Sequence, residues 1–105
     1  MSSEILVEVI EDMIERDLEK QFVEHAESRG CLALKLRIDG QNGFPDRTVI
    51  CPNGSVFFVE FKRPGGKLSV VQEQWIEQLQ KMSGLGVVVE DIATARRFLD
   101  IWLGD

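Results

Sequence analysis

Three side chains, Asp46, Glu60 and Lys62, have the types and the spacing for metal-assisted hydrolysis. Glu60 and Lys62 end the run Val56-Phe57-Phe58-Val59-Glu60-Phe61-Lys62, which reads as a strand. Side chains alternate faces along a strand, so Phe57, Val59 and Phe61 share one face, and Val56, Phe58, Glu60 and Lys62 the other. That second face turns abruptly from apolar to charged. An acid and a base two residues apart could form a plain surface ion pair, which contributes little. At the end of a largely buried strand, however, charge is costly and calls for a reason. Asp46 follows Gly43-Phe44-Pro45, and the proline restricts the backbone on which this carboxylate is mounted. If the two strands pair as a hairpin, Asp46 and Glu60 meet at one end of it. Converging carboxylates suit a hard divalent cation such as Mg2+, and Mn2+ takes the same ligands. Lys62 could then hold or help deprotonate an attacking water while the cation offsets charge developing on a phosphate.

The elements that must position these residues are legible along the chain. Leu6, Ile10, Met13, Ile14, Leu18, Phe22 and Ala26 recur at helical spacing, and a helix is expected from about residue 11 to 28, closed by Gly30. Residues 5–10 fit strand or helix equally by periodicity. Residues 31–38 alternate weakly and read as a strand, residues 39–43 as a loop, Arg47 to Cys51 as a second strand, and Pro52-Asn53-Gly54-Ser55 as a hairpin turn. Ser69 with Gln72 has capping-box spacing, opening a helix whose expected buried stripe is Val71, Trp75, Leu79 and Met82. Gly84 and Gly86 flank a break before a strand over Val87 to Glu90. Asp91 caps a last helix, with Ala95, Phe98, Leu99 and Trp102 facing inward. The order is α-β-β-β-α-β-α, an α/β arrangement with a mixed sheet. At 105 residues it is expected to form one domain over 1–105.

Composition narrows the function classes. No apolar run approaches the ~20 residues of a membrane span, and the acidic N-terminus lacks a signal-peptide pattern. Cys31 and Cys51 lie in apolar surroundings and read as reduced packing residues, a disulfide being the minor option. With His25 the single histidine, no usual zinc spacing exists and no Ser/His pairing supports a hydrolytic triad. The net charge of −6 is segregated: residues 1–34 hold nine acids against three bases, whereas residues 35–67 hold six bases against three acids. Local potential, not total charge, governs phosphate binding, and the basic centre is compatible with it.

Gly43-Phe44-Pro45-Asp46, with Asp46 fourteen positions before Glu60, and then Glu60-Phe61-Lys62, resembles the core motif of the PD-(D/E)XK nuclease superfamily. Within it the chain is most similar to the VRR-NUC domain over roughly residues 15–90, through Leu32-Ala33-Leu34-Lys35, Val59-Glu60-Phe61-Lys62, and Leu68-Ser69 followed by Gln72. Phe44 stands where that family usually has Val or Ile. The resemblance implies a restriction-endonuclease-like core, Asp46 and Glu60 binding metal with the Phe61 backbone carbonyl, a catalytic Lys62, a helix-one glutamate in the site, and a role for Gln72. For the helix-one acid, Glu19 fits the family's distance from Gly30 better than Glu15, and it is a further candidate metal ligand. Lys35, Arg63 and Lys67 are candidate DNA contacts.

The expectation is therefore a Mg2+-dependent endodeoxyribonuclease. No recognition helix or specificity domain is evident, so it is expected to select DNA structure, with a four-way (Holliday) junction cut by a homodimer the leading substrate. The resemblance to standalone members implies the cytoplasm of a bacterial or phage-infected cell. Residues 1–12 carry more apolar surface than one short helix needs and are expected to contribute to dimerisation. The alternatives are a flap or general duplex nuclease and, from another class, a catalytically silent nucleic-acid-binding or assembly module.

Overall fold

The computed structural model describes residues 2–83 and 85–104. The elements are α1 (Ser3–Ser28), β1 (Leu32–Leu34), β2 (Arg47–Ile50), β3 (Val56–Phe61), α2 (Val70–Ser83), β4 (Gly86–Val89) and α3 (Ile92–Trp102), in the expected order. One four-stranded sheet runs β1-β2-β3-β4. The first two pairings are antiparallel and β3–β4 is parallel, with α2 as the crossover that a parallel pair requires. Among the described residues no helix is long and apolar enough to cross a membrane.

The core forms on one sheet face. Val49, Phe57, Val59 and Phe61 meet Leu18, Phe22 and Ala26 of α1 and Ala95 and Leu99 of α3. Phe22 and Phe61 pack with ring centroids 5.5 Å apart, and Phe57 meets Phe98 edge-on at 5.3 Å. Asp100 ties the two helices by accepting from His25 Nε2 (2.9 Å) and from Arg29. Cys31 and Cys51 stand as buried free thiols one step beyond the Leu32↔Ile50 pair. Burial and the neighbouring Cys31 push the Cys51 thiol up to about 11, so it stays protonated and inert at neutral pH.

Three elements differ from the sequence expectation. Helix α1 begins at Ser3, capped by Ser2, because no Gly or Pro interrupts residues 3–28 and the ambiguous run 5–10 simply joins the helix. Strand β1 is confined to Leu32–Leu34, and it is Ala33 that packs against the core while Leu32 and Leu34 face outward. In α2 the buried position is Ile76, whereas Val71 is 43% and Met82 88% exposed. The helix meets the sheet along β4, and its first turn lies beside the 39–43 loop and not over the core. The expected break at Gly84 lies outside the described residues.

Candidate active site

The β2–β3 hairpin assembles the carboxylate pair. Its register runs from Ile50↔Val56 to Arg47↔Val59. Asp46, one residue beyond that last pair, therefore comes level with Glu60. Fully buried Pro45 fixes the chain entering β2, and Asp46 Oδ2 accepts the Phe61 backbone N–H at 2.9 Å. That bond seats the first carboxylate against the strand carrying the second.

Glu60 is 3% exposed, and its Oε2 is buried with no hydrogen-bond partner. Burial, then the Asp46 carboxylate, pushes the Glu60 carboxyl up from 4.5 to about 9, against the opposing pull of Lys62 and with a smaller upward push from Glu15. An unpartnered buried oxygen beside a second carboxylate is a donor set short of a positive charge. A hard divalent cation fits it, since it would ligate the orphaned oxygen and remove the repulsion. Among the described residues no group of three or more His, Cys, Asp or Glu side chains forms a ligand cluster. Asp46 and Glu60 are thus the carboxylates that would hold such a cation.

Gln72 bridges helix and site. Its Oε1 accepts from Ser69 N (2.8 Å), Ser69 Oγ accepts from Gln72 N (3.1 Å), and Gln72 Nε2 reaches Glu60 Oε1 at 3.4 Å. The capping box and the contact with Glu60 are held by one side chain. Lys62 is half-buried just past β3, its backbone N–H donating to Val89 O at 3.0 Å.

The helix-one acids take different positions. Glu19 lines a cleft with Lys35, Arg37 and Asp46. It accepts from Arg47 Nε at 2.6 Å and lies 3.6 Å from Lys35 Nζ, but is not brought into a ligand cluster with Asp46 and Glu60. Glu15 instead accepts the Arg63 backbone N–H at 3.3 Å, and its charge is felt by Glu60. Of the candidate DNA contacts, Lys35 and Lys67 are exposed, whereas Arg63 pairs with Glu11 at 3.1 Å.

Sequence reasoning missed Arg47, which holds Glu19 and also donates to Ala33 O at 2.9 Å. Alternation could have found it, because the neighbour of Asp46 must point to the opposite face, toward α1. It also missed the donation from Trp75 Nε1 to Asn42 O (3.1 Å), which pins the loop leading to Asp46.

Comparisons with known proteins agree with this geometry. Residues 5–91 match the VRR-NUC domain. The chain is similar to a solved structure described as a VRR_NUC domain, with 30% identity and a TM-score of 0.77, covering 83% of this chain and 95% of that one. It is 43% identical over 53 residues to "Putative nuclease p44" of Acyrthosiphon pisum secondary endosymbiont phage 1. That match spans half of this chain and 57% of the phage protein. With most of its length matched and the same fold observed, the chain belongs to the VRR-NUC domain family.

Proposed function

We propose that this protein is a metal-dependent endonuclease that hydrolyses phosphodiester bonds in branched DNA, with a four-way junction as its leading substrate and a homodimer as its working form. The observation that carries the chemistry is the buried Glu60 carboxylate beside Asp46, its Oε2 without a hydrogen-bond partner, with Lys62 just past the end of the same strand. Family membership and the similarity to a phage protein named "Putative nuclease p44" support DNA as the substrate, and a phage-borne relative supports the cytoplasm of a bacterial or infected cell.

Asp46 and Glu60, with the Phe61 carbonyl, would hold Mg2+ or Mn2+. When bound, the cation supplies Lewis-acid stabilisation of the phosphate and favours an ionised water. Lys62 Nζ orients the attacking water and stabilises charge that builds on the phosphate oxygens. Gln72 Nε2 holds Glu60 in place, Glu19 faces the cleft beside Asp46 under the grip of Arg47, and Lys35 and Lys67 contact flanking phosphates together with Arg63.

The test is cleavage in Mg2+ of a four-way junction, a flap and a linear duplex by one preparation. Faster junction cleavage is expected, with Lys62→Ala reducing it by on the order of 10²-fold or more. Equal rates on all three substrates would favour a general duplex nuclease, and flap preference a processing nuclease. Unchanged cleavage by Asp46→Ala or Lys62→Ala overturns the catalytic assignment. Absence of cleavage in both Mg2+ and Mn2+ leaves the silent binding module.

A further inference from the structure

Between the 39–43 loop and α2 lies a cleft of about 260 Å³ that the chemistry above does not use, lined by Gln41, Asn42, Val71, Gln74, Trp75 and Gln78. None of these side chains ionises. A phosphate entering the cleft would find no countercharge, and a wholly apolar ligand would leave amides unpaired. Each amide offers both a donor pair and an acceptor, the pattern that matches the edge of a nucleobase. Trp75 adds a flat aromatic wall, of the kind on which unpaired bases stack.

The cleft is preformed and adjoins the site through both of its walls. Trp75 Nε1 holds Asn42 O at 3.1 Å, and the Phe44 ring meets the indole edge-on at 5.1 Å. From Asn42 the loop continues through Gly43 and Pro45 into Asp46. On the helix, Val71 neighbours Gln72, whose amide reaches Glu60. A strand whose phosphate lies at Asp46 and Glu60 would thus bring its next nucleotides to this wall. At about 260 Å³ the concavity lies just under the usual range of small-ligand pockets, so it suits one base turned out of the stack and not a duplex.

We propose that this cleft receives an unpaired nucleobase of the DNA strand, next to the phosphate that is cut. The proposal rests on the nuclease reading and deepens it, giving selectivity for branch points a chemical basis: a pair at a branch point lacks a stacking neighbour on one side, so its base turns out of the helix at lower cost than one inside a continuous duplex.

Trp75 and Trp102 are the chain's two tryptophans, so in a Trp102→Phe background Trp75 reports alone. Its fluorescence is titrated in EDTA with a short single-stranded oligonucleotide, an abasic strand of equal length and a blunt duplex. Quenching by the normal strand on the order of tenfold tighter than by the abasic strand is expected. Gln74→Ala/Gln78→Ala, two exposed positions, is expected to erase that difference while leaving the melting temperature unchanged. Equal response to normal and abasic strands, a tighter response to duplex, or discrimination that survives the double variant overturns the proposal. Cleavage by the same Trp102→Phe protein in Mg2+ is scored separately. Cleavage without base-dependent quenching sinks the cleft and leaves the nuclease standing; base-dependent quenching without cleavage does the reverse.

Discussion

Glu60 shows what a buried carboxyl beside a second carboxylate does to stability when no cation is bound. The folded protein keeps the carboxyl protonated up to about pH 9, whereas the unfolded chain ionises near its ordinary value of 4.5. Between these limits unfolding releases a proton, so the metal-free protein loses stability as pH rises toward the folded value and keeps it in full below the unfolded one. Glu60→Gln removes this dependence. In EDTA, thermal melts are expected to show the variant and the parent similar near pH 5, with the variant higher by about 4 °C or more at pH 8, the shift that about 1 kcal/mol produces in a domain this size. Millimolar Mg2+ is expected to raise the parent's midpoint and leave the variant's unchanged. A parent that melts higher at pH 8 than at pH 5 in EDTA contradicts this account. The helix-one acids separate in the same way. Glu19→Gln weakens a half-buried ion pair with Arg47 as well as the site, so a fall in both midpoint and cleavage rate is expected. Glu15→Gln, at a carboxylate that accepts the Arg63 backbone N–H, is expected to cost less activity. That Asp46, Glu60, Lys62 and Gln72 come close together was legible because strand alternation, a proline and a capping box are local rules. The partnership of Glu19 with Arg47 was not, since it joins residues 28 apart in sequence through tertiary packing.

At the scale of elements, the loop before β2 and the start of α2 work as one piece. Gly43 has φ +82°, and a Cβ there would meet Val71 Cγ1 at 2.7 Å and Gln72 N at 3.2 Å. Gly54, in the hairpin turn, has φ +87° with nothing within 4 Å. Gly43→Ala and Gly54→Ala share the left-handed backbone cost of about 1–2 kcal/mol, but only the first pushes on the helix that carries Gln72. Urea melts are expected to show both variants destabilised, with Gly43→Ala the worse, and only Gly43→Ala is expected to slow Mg2+-dependent cleavage. Equal loss of rate would show that the loop does not position the site. Element order was readable because each helix and strand has its own period and cap. The orientation of β1 was not, because weak alternation cannot say which set of residues faces in. The choice of Ala33 over its flanking leucines follows from α1 crossing close above it, and Leu32 and Leu34 are left on the open sheet face.

The whole molecule measures 47 × 29 × 22 Å, and its length comes from α1. A 26-residue helix spans about 39 Å, yet its buried residues, Leu18, Phe22 and Ala26, all lie in the second half. The first half carries Ile5, Leu6, Val9, Ile10, Met13 and Ile14 at 43–61% exposure. Ile10, Met13 and Ile14 continue at helical spacing the stripe that Leu18 and Phe22 bury, so an apolar surface runs off the globule, largely uncovered among the described residues. Contiguous exposure of this kind is the pattern of an association site, and a second copy would supply a partner bearing the same stripe. Light scattering at micromolar concentration is expected to give twice the 11.9 kDa of the chain. Because Ile10 is already exposed, Ile10→Lys should leave the fold intact and weaken association by about tenfold or more. Junction cleavage, which needs two sites, should then fall more than nicking of a single strand. A parent that scatters as a monomer removes the homodimer from the proposed function. A variant that remains a dimer moves the interface elsewhere, with the exposed Leu32, Leu34 and Leu36 around β1 the next surface to substitute.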